Sequence, residues 1–114
     1  MTPKRIQMSR QHPWRAEHPD AVIVARPSKW GNPFTIAGAI ESGYADSQVE
    51  GHIVAAEAFA DWLHGNTWAA GSGAEWDDRR LRMLADLHEL AGKDLACWCK
   101  PTDACHADTL LKLA

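Results

Sequence analysis

The sequence lacks any apolar run long enough to cross a membrane. No segment approaches the ~20 consecutive apolar residues of a spanning helix, and the first residues are polar and basic, without the apolar stretch of a secretory signal. Internal repeats and low-complexity tracts are missing too. We therefore expect a cytoplasmic protein that is neither a membrane protein nor a repeat protein.

Cysteine is scarce as well. The chain has three cysteines, an odd number, and all of them lie within the nine residues 97–105. Such a cluster is a poor disulfide framework for a small secreted protein. Metal binding, thiol chemistry or buried reduced cysteine remain as roles for these side chains.

Length and composition fit one small domain. A chain of 114 residues with 46% hydrophobic content can bury one core, so we expect a single domain over residues 1–114. Six tryptophans exceed the need of a core of this size, and one or two of them are expected at a surface pocket or an edge. Simple core bulk is the alternative role for each.

Charge is unevenly distributed along the chain. The net charge is -3, yet residues 1–30 carry six cationic side chains against two acidic ones, which makes this segment basic and the remainder acidic. A basic segment beside an acidic body favours a local phosphate-binding surface over a general coat for nucleic acid. The alternative is a solvated basic face that binds nothing.

Three segments have the patterns of β-strands. Residues 21–25, AVIVA, form a β-branched apolar run typical of a strand that is buried on both faces. Residues 4–9 alternate weakly between apolar and polar side chains, and residues 94–99 alternate more clearly. All three are followed by residues that break a strand, so each predicted strand is short.

Helices are predicted between and after these strands. A capping box followed by an apolar stripe predicts a helix over about 48–64, and a second stripe predicts a helix over about 76–91. Asp103 or Thr102 is expected to cap a final helix. The alternation predicts an α/β fold, a small two-layer or three-layer domain with a short, mostly parallel sheet and about three helices.

The strand over 21–25 runs into an irregular loop, PSKWGNPF, at residues 27–34. A nucleotide site needs positive charge, a stacking ring, close backbone approach and an amide that both donates and accepts hydrogen bonds. This region supplies such groups in Arg26, Lys29, Trp30, Gly31, Asn32 and Phe34. In the alternative interpretation, the two aromatic residues anchor the loop to the core and Asn32-Pro33 forms a turn.

The strand over 94–99 leads into a second unusual segment, CWCKPTDACH, at residues 97–106. Cys97 and Cys99 are two apart on a strand, so their sulfurs share a face. Cys105 and His106 are predicted in the first turn of the final helix, where unpaired backbone N–H groups favour an anion and lower the pKa of a thiol. We therefore expect all four side chains to approach one point.

The two loops are expected to meet. In open α/β sheets, ligands gather beyond the carboxyl ends of the strands. If the strands over 21–25 and 94–99 are parallel neighbours, the loops that follow them face the same crevice.

Three interpretations of the second segment stay open. In the first, the helix start holds a phosphate-bearing ligand near Lys100 and Asp103, and Cys105 or His106 acts as acid, base or nucleophile. In the second, the three cysteines and His106 bind Zn²⁺ as a Cys₃His site, although the C-x-C and adjacent Cys-His spacings are atypical. In the third, the strand cysteines are buried small hydrophobes and the histidine is a structural hydrogen-bonding residue. His52 is expected to be a boundary residue of its helix and not a ligand.

Together the loops resemble a known family. RPSKWGNPF near the start and LACWCKPTDACHADTLLKLA at the end resemble the domain of unknown function 4326 family, found in actinobacteria and their phages. The resemblance covers most of the chain and implies a small intracellular bacterial or phage protein. It carries no established activity. It also implies the signature positions Trp30, Gly31, Asn32, Pro33, Phe34, Cys97, Trp98, Cys99, Pro101, Cys105 and His106.

Our leading hypothesis is a domain that binds a nucleotide-like or phosphate-bearing ligand in a crevice between the Trp30–Phe34 loop and the Cys97–His106 turn. The sequence leaves open whether the ligand is modified, whether a cofactor takes part and how many chains assemble. One alternative is a zinc-stabilised binding module for nucleic acid or protein. Another is a phage inhibitor of a host protein that has no catalytic site.

Overall fold

A computed structural model describes residues 2–69 and 73–114. Its centre is a sheet of three short parallel strands, β1 (Arg5–Gln7), β2 (Val22–Ile23) and β3 (Leu95–Cys97), in the order β1-β3-β2. The strand β3 is central, and its side chains are buried throughout, which is typical of a parallel strand covered on both faces. The predicted mixed α/β fold with a short parallel sheet is confirmed.

Each strand is shorter than its sequence pattern. The β2 pairing covers two residues, although the N–H of Val24 still donates to the carbonyl of Ala96 at 2.9 Å. In the same way, the N–H of Met8 donates to the carbonyl of Cys97 at 2.8 Å beyond β1. The apolar pattern extends further than the ladder because residues beyond its ends are still buried in the core.

Five helices surround the sheet in the part of the chain that the structure describes, where about three were expected. They are α1 (Trp14–Glu17), α2 (Ile36–Glu41), α3 (Gln48–Leu63), α4 (Ala74–Asp86) and α5 (His106–Leu113), with a 3₁₀ turn over Leu87–Leu90. The two additional helices are α1 and α2, which have four and six residues. Their apolar stripes are too short to be distinguished from loop residues in the sequence.

The predicted helix over 48–64 is confirmed as α3, and its predicted cap is present. The Ser47 hydroxyl accepts a hydrogen bond from the N–H of Glu50 at 3.2 Å. The predicted helix over 76–91 begins two residues earlier, as α4, and ends in the 3₁₀ turn. The predicted cap of α5 was wrong, because Cys105 occupies the N-cap position and makes no side-chain capping bond there.

The core lies between the sheet and the long helices. Its largest fully buried side chains include Phe59 and Trp62 of α3, Leu95 of β3 and Leu110 of α5. The helix α5 contacts β1, β3 and α3, so the segment that precedes it is held over the carboxyl end of the sheet. No helix among the described residues is long and apolar enough to cross a lipid bilayer.

Candidate metal and ligand site

The three thiols form a compact cluster where β3 ends and α5 begins. The Sγ atoms of Cys97 and Cys99 are 3.7 Å apart, and those of Cys97 and Cys105 are 3.4 Å apart. All three sulfurs lie within 4.8 Å of one another. Cys97 and Cys105 are buried, whereas Cys99 is partly exposed. The predicted strand over 94–99 ends at Cys97 and the chain bends at residues 98–99, so strand alternation does not account for the first pair.

A short turn between Cys99 and Cys105 brings the thiol of Cys105 next to the other two. The N–H of Asp103 donates to the carbonyl of Lys100 at 2.9 Å. Arg5 of β1 stabilises this turn. Its guanidinium donates to the carbonyls of Lys100 and Pro101 at 3.1 and 2.8 Å, and it also donates to the carboxylate of Asp108 at 3.2 Å. Sequence analysis did not identify Arg5, because nothing local connects it to a turn near the other end of the chain.

His106 adds a nitrogen to the edge of the cluster. Its Nδ1 lies 3.7 Å from Cys105 Sγ, and its Nε2 lies 2.9 Å from the carbonyl oxygen of Val24. That contact requires a proton on Nε2, so Nδ1 of the neutral ring keeps its lone pair on the thiol side. The ring packs edge-on against Phe59. Burial lowers the pKa of His106 and keeps the imidazole neutral at neutral pH.

The contacts within the cluster lower the pKa of one thiol and raise the pKa values of the other two. Hydrogen bonds from the Cys105 and Cys99 thiols lower the pKa of Cys97. The pKa of Cys105 is raised, chiefly by its hydrogen bond with Cys97, and that of Cys99 is raised, chiefly by its hydrogen bond with Cys105. These hydrogen bonds favour a thiolate at Cys97 over one at Cys99 or Cys105. The thiolate is the form that attacks electrophiles and binds metals.

A cavity of about 320 Å³ opens beside the thiols, beyond the carboxyl ends of β2 and β3. Both loops that the sequence singled out contribute to its wall. The residues that line it from these loops are Arg26, Asn32, Phe34, Cys97, Trp98, Cys99, Ala104, Cys105 and His106. The strands are parallel neighbours, so the condition on which the sequence argument depended is met.

Part of the first loop faces elsewhere. Lys29 and Trp30 line a separate cavity of about 580 Å³ against α4. The Trp30 side chain is buried, and Lys29 Nζ lies 2.7 Å from a Glu89 carboxylate oxygen and 3.3 Å from one of Asp86. The hydrogen bond with Glu89 is the main reason that the pKa of Lys29 is raised. The structure thus does not bring these two side chains to the thiol cavity.

Two other predicted residues also lie outside the lining of the thiol cavity. The side chain of Lys100 is exposed, and Asp103 lies in the turn between Cys99 and Cys105 without lining the cavity. Its carboxylate lies 3.7 Å from Nε2 of His52. The ligand roles assigned to Lys100 and Asp103 remain predictions without support from the cavity geometry.

Asn32 and Gly31 connect the first loop to the body of the protein. The Asn32 amide donates to the carbonyl of Ala55 at 3.0 Å and accepts from the N–H of Phe34 at 2.9 Å. A Cβ on Gly31 would lie 2.7 Å from Cγ of Arg26, so the backbone approach here is too close for a larger residue. These contacts favour the interpretation in which this part of the loop is anchored to the core.

Comparison with family models gave a match over residues 6–114 to a family described as Domain of unknown function (DUF4326). The chain belongs to this family. The match spans nearly the whole chain and includes both loops that line the thiol cavity. Searches of curated proteins and of solved structures found no match.

Two further residues of this family member line the thiol cavity, although sequence analysis gave them no role there. His52 lies on the face of α3 that also presents Ala55 and Ala56 to the cavity. Its spacing of three and four residues from them was a signal that could have placed it on this wall. Trp98 lies between two of the cysteines and is 51% exposed. Its position was visible in the sequence, whereas its exposure was not.

Proposed function

We propose that this domain binds a thiophilic metal ion, Zn²⁺ above all, through Cys97, Cys99 and Cys105. The observation that carries the proposal is the convergence of three sulfurs within 4.8 Å. A tetrahedral zinc ion with Zn–S bonds of about 2.3 Å holds its sulfur ligands about 3.8 Å apart. The distances of 3.7 and 3.4 Å from Cys97 Sγ to the other two sulfurs are close to that spacing.

His106 is the fourth ligand in this proposal. Its Nδ1 lone pair faces the thiol side, 3.7 Å from Cys105 Sγ. Its other nitrogen meets a backbone carbonyl at 2.9 Å, which is the arrangement usual for histidines that bind a metal. A small shift of the ring toward the sulfurs completes a Cys₃His set. A site closed by four protein ligands stabilises the fold and does not itself present a reactive water.

Elemental analysis tests the metal proposal. Protein purified without chelators is expected to carry one zinc ion per chain, and a strong chelator is expected to release it together with much of the folding free energy. The three thiols then become reactive toward a thiol reagent, whereas they are protected in the zinc form. A chain that stays folded and metal-free after incubation with zinc contradicts the proposal.

A second candidate function is the binding of a nucleotide-like or phosphate-bearing ligand in the thiol cavity. The observation that favours it is that Arg26 and the Cys97–His106 turn line one cavity of about 320 Å³. That volume lies at the lower end of the range for small-molecule sites, about 300 to 1,000 Å³. Cys105 and His106 are the catalytic groups in this candidate, a role that a bound metal would exclude.

A thermal-shift screen with nucleotides, dinucleotides and ADP-ribose tests the second candidate. Ligand at a hundredfold excess over its Kd adds about 2.7 kcal/mol to the free energy of unfolding, which is a readily measured shift for a chain of this length. No shift with any of these compounds counts against the candidate. Binding of nucleic acid or of a host protein stays a prediction, since no contact in the cavity favours either partner.

A further inference from the structure

Trp98 is the aromatic residue placed to meet a ligand of the thiol cavity. It follows Cys97 at the end of β3, where the chain bends, and it lines the cavity together with both neighbouring cysteines. Its side chain is half exposed, whereas Trp30 and Trp62 are buried in the core. A half-exposed indole beside a cavity retains an apolar face that a planar ring can cover.

The remaining wall of the cavity carries polar groups from other elements. Arg26 follows β2, and one nitrogen of its guanidinium donates to the carbonyl of Asn32 at 3.1 Å. A guanidinium has five N–H donors, so others remain for a ligand. His52 lines the cavity from α3, and its Nε2 lies 3.7 Å from the carboxylate of Asp103.

We propose that the cavity takes a planar heteroaromatic ring that carries an anionic group, with the ring stacked on Trp98 and the anion held by Arg26. This inference rests on the ligand-binding candidate above and deepens it. Proteins that bind single-stranded nucleic acid without sequence preference combine the same two contacts, bases stacked on aromatic side chains and phosphates held by cations. The structure supports Trp98 in the role that the sequence assigned to Trp30.

Calorimetric titration of the full-length protein tests the proposal. The probes are AMP, GMP, CMP and UMP, with adenosine and ribose 5-phosphate as the two separate halves of AMP. At least one monophosphate is expected to bind tenfold more tightly than adenosine or ribose 5-phosphate. Trp98→Ala is expected to weaken that monophosphate about fivefold to a hundredfold, and Trp98→Phe is expected to recover most of the loss. Arg26→Gln is expected to weaken the monophosphate but not adenosine.

The matched control is Trp68→Ala. Trp68 is 40% exposed, lines a different cavity, and packs edge-on against Tyr44, so its loss is expected to leave all affinities unchanged. Equal binding of a monophosphate by wild type and Trp98→Ala overturns this inference and leaves the ligand-binding candidate standing. No binding of any monophosphate overturns this inference, and the absence of any shift in the thermal-shift screen as well overturns the ligand-binding candidate. Zinc content measured on the same samples decides the metal proposal separately.

Discussion

His106 Nε2 lies 2.9 Å from the carbonyl oxygen of Val24, and the two residues are 82 positions apart in the chain. The contact joins the residue that follows β2 to the first residue of α5. It also fixes the imidazole so that Nδ1, and not Nε2, faces the thiol cluster. This hydrogen bond therefore has two effects. It connects α5 to the end of β2 beside the cluster, and it leaves Nδ1 as the nitrogen available to a metal.

Replacing His106 tests this arrangement. His106→Gln removes a buried ring and its bond to Val24, so it is expected to lower the free energy of unfolding by about 1 to 3 kcal/mol. It is also expected to weaken zinc binding, measured by competition with a chromophoric chelator. His64→Gln is the matched control, because His64 is exposed at the end of α3. Unchanged zinc affinity in His106→Gln contradicts the role of His106 as the fourth ligand.

Acid is expected to destabilise the protein through the same histidine. Burial lowers the pKa of His106 in the folded state below its ordinary value of 6.5. Below about pH 6.5 the unfolded chain takes up a proton that the folded chain does not. Stability contributed by neutral His106 is therefore fully present above pH 6.5 and is lost as the pH falls toward the folded-state pKa, by at most about 1.4 kcal/mol per pH unit.

Urea titrations of metal-free protein at several pH values between 8 and 5 measure this effect. The His106→Gln variant has no titrating group at this position, so its stability is expected to depend less steeply on pH below 6.5. Identical slopes for the wild type and this variant are the result that would count against a buried neutral imidazole.

Arg5 is expected to support metal binding without touching the metal. Arg5→Ala removes the hydrogen bonds that hold the turn between Cys99 and Cys105. Loss of a group hydrogen-bonded to a metal ligand typically costs about tenfold to a hundredfold in affinity. Arg5 holds the turn and not a ligand, so we expect a smaller loss of zinc affinity, up to about tenfold. Arg10→Ala, at an exposed position just beyond β1, is the control. Equal chelator competition for the two variants contradicts this role.

A side chain at position 31 is expected to clash with the side chain of Arg26. Gly31→Ala puts a Cβ 2.7 Å from Cγ of Arg26, so it is expected to cost about 1 to 3 kcal/mol of stability. The second change Arg26→Ala removes the clashing atom and is expected to restore part of the loss, although contacts near 3.1 Å to the Arg26 Cα remain. A double-mutant cycle in urea shows whether the two losses are additive, and simple additivity contradicts the clash.

Local sequence patterns predicted the helices and strands that have a clear cap, apolar stripe or alternation. The helix α3 has a cap and a long apolar stripe, and the strands have β-branched or alternating residues. The approach of Cys97 to Cys99 was predicted from strand alternation, but β3 ends at Cys97 and the chain bends at residues 98–99, so alternation is not its cause. The short helices α1 and α2 escaped detection since neither covers two full turns.

Sequence analysis predicted the thiol cavity only on the condition that the strands before the two loops are parallel neighbours. The carboxyl ends of parallel neighbouring strands meet at one edge of a sheet, and β2 and β3 are such neighbours. Nothing in the sequence, however, showed which side chains of the first loop turn toward that edge. Arg26 and Asn32 reach the thiol cavity, whereas Lys29 and Trp30 pack against α4.

The sequence alone determined that α3 forms and that the three thiols lie close together in the chain, between the end of β3 and the start of α5, because both follow from neighbours a few residues apart. The tertiary structure decided which groups surround the cluster. Arg5, Val24 and His52 reach it from β1, the end of β2 and α3. Such contacts join distant parts of the chain, and they exist only once the packing of the helices on the sheet has brought those parts together.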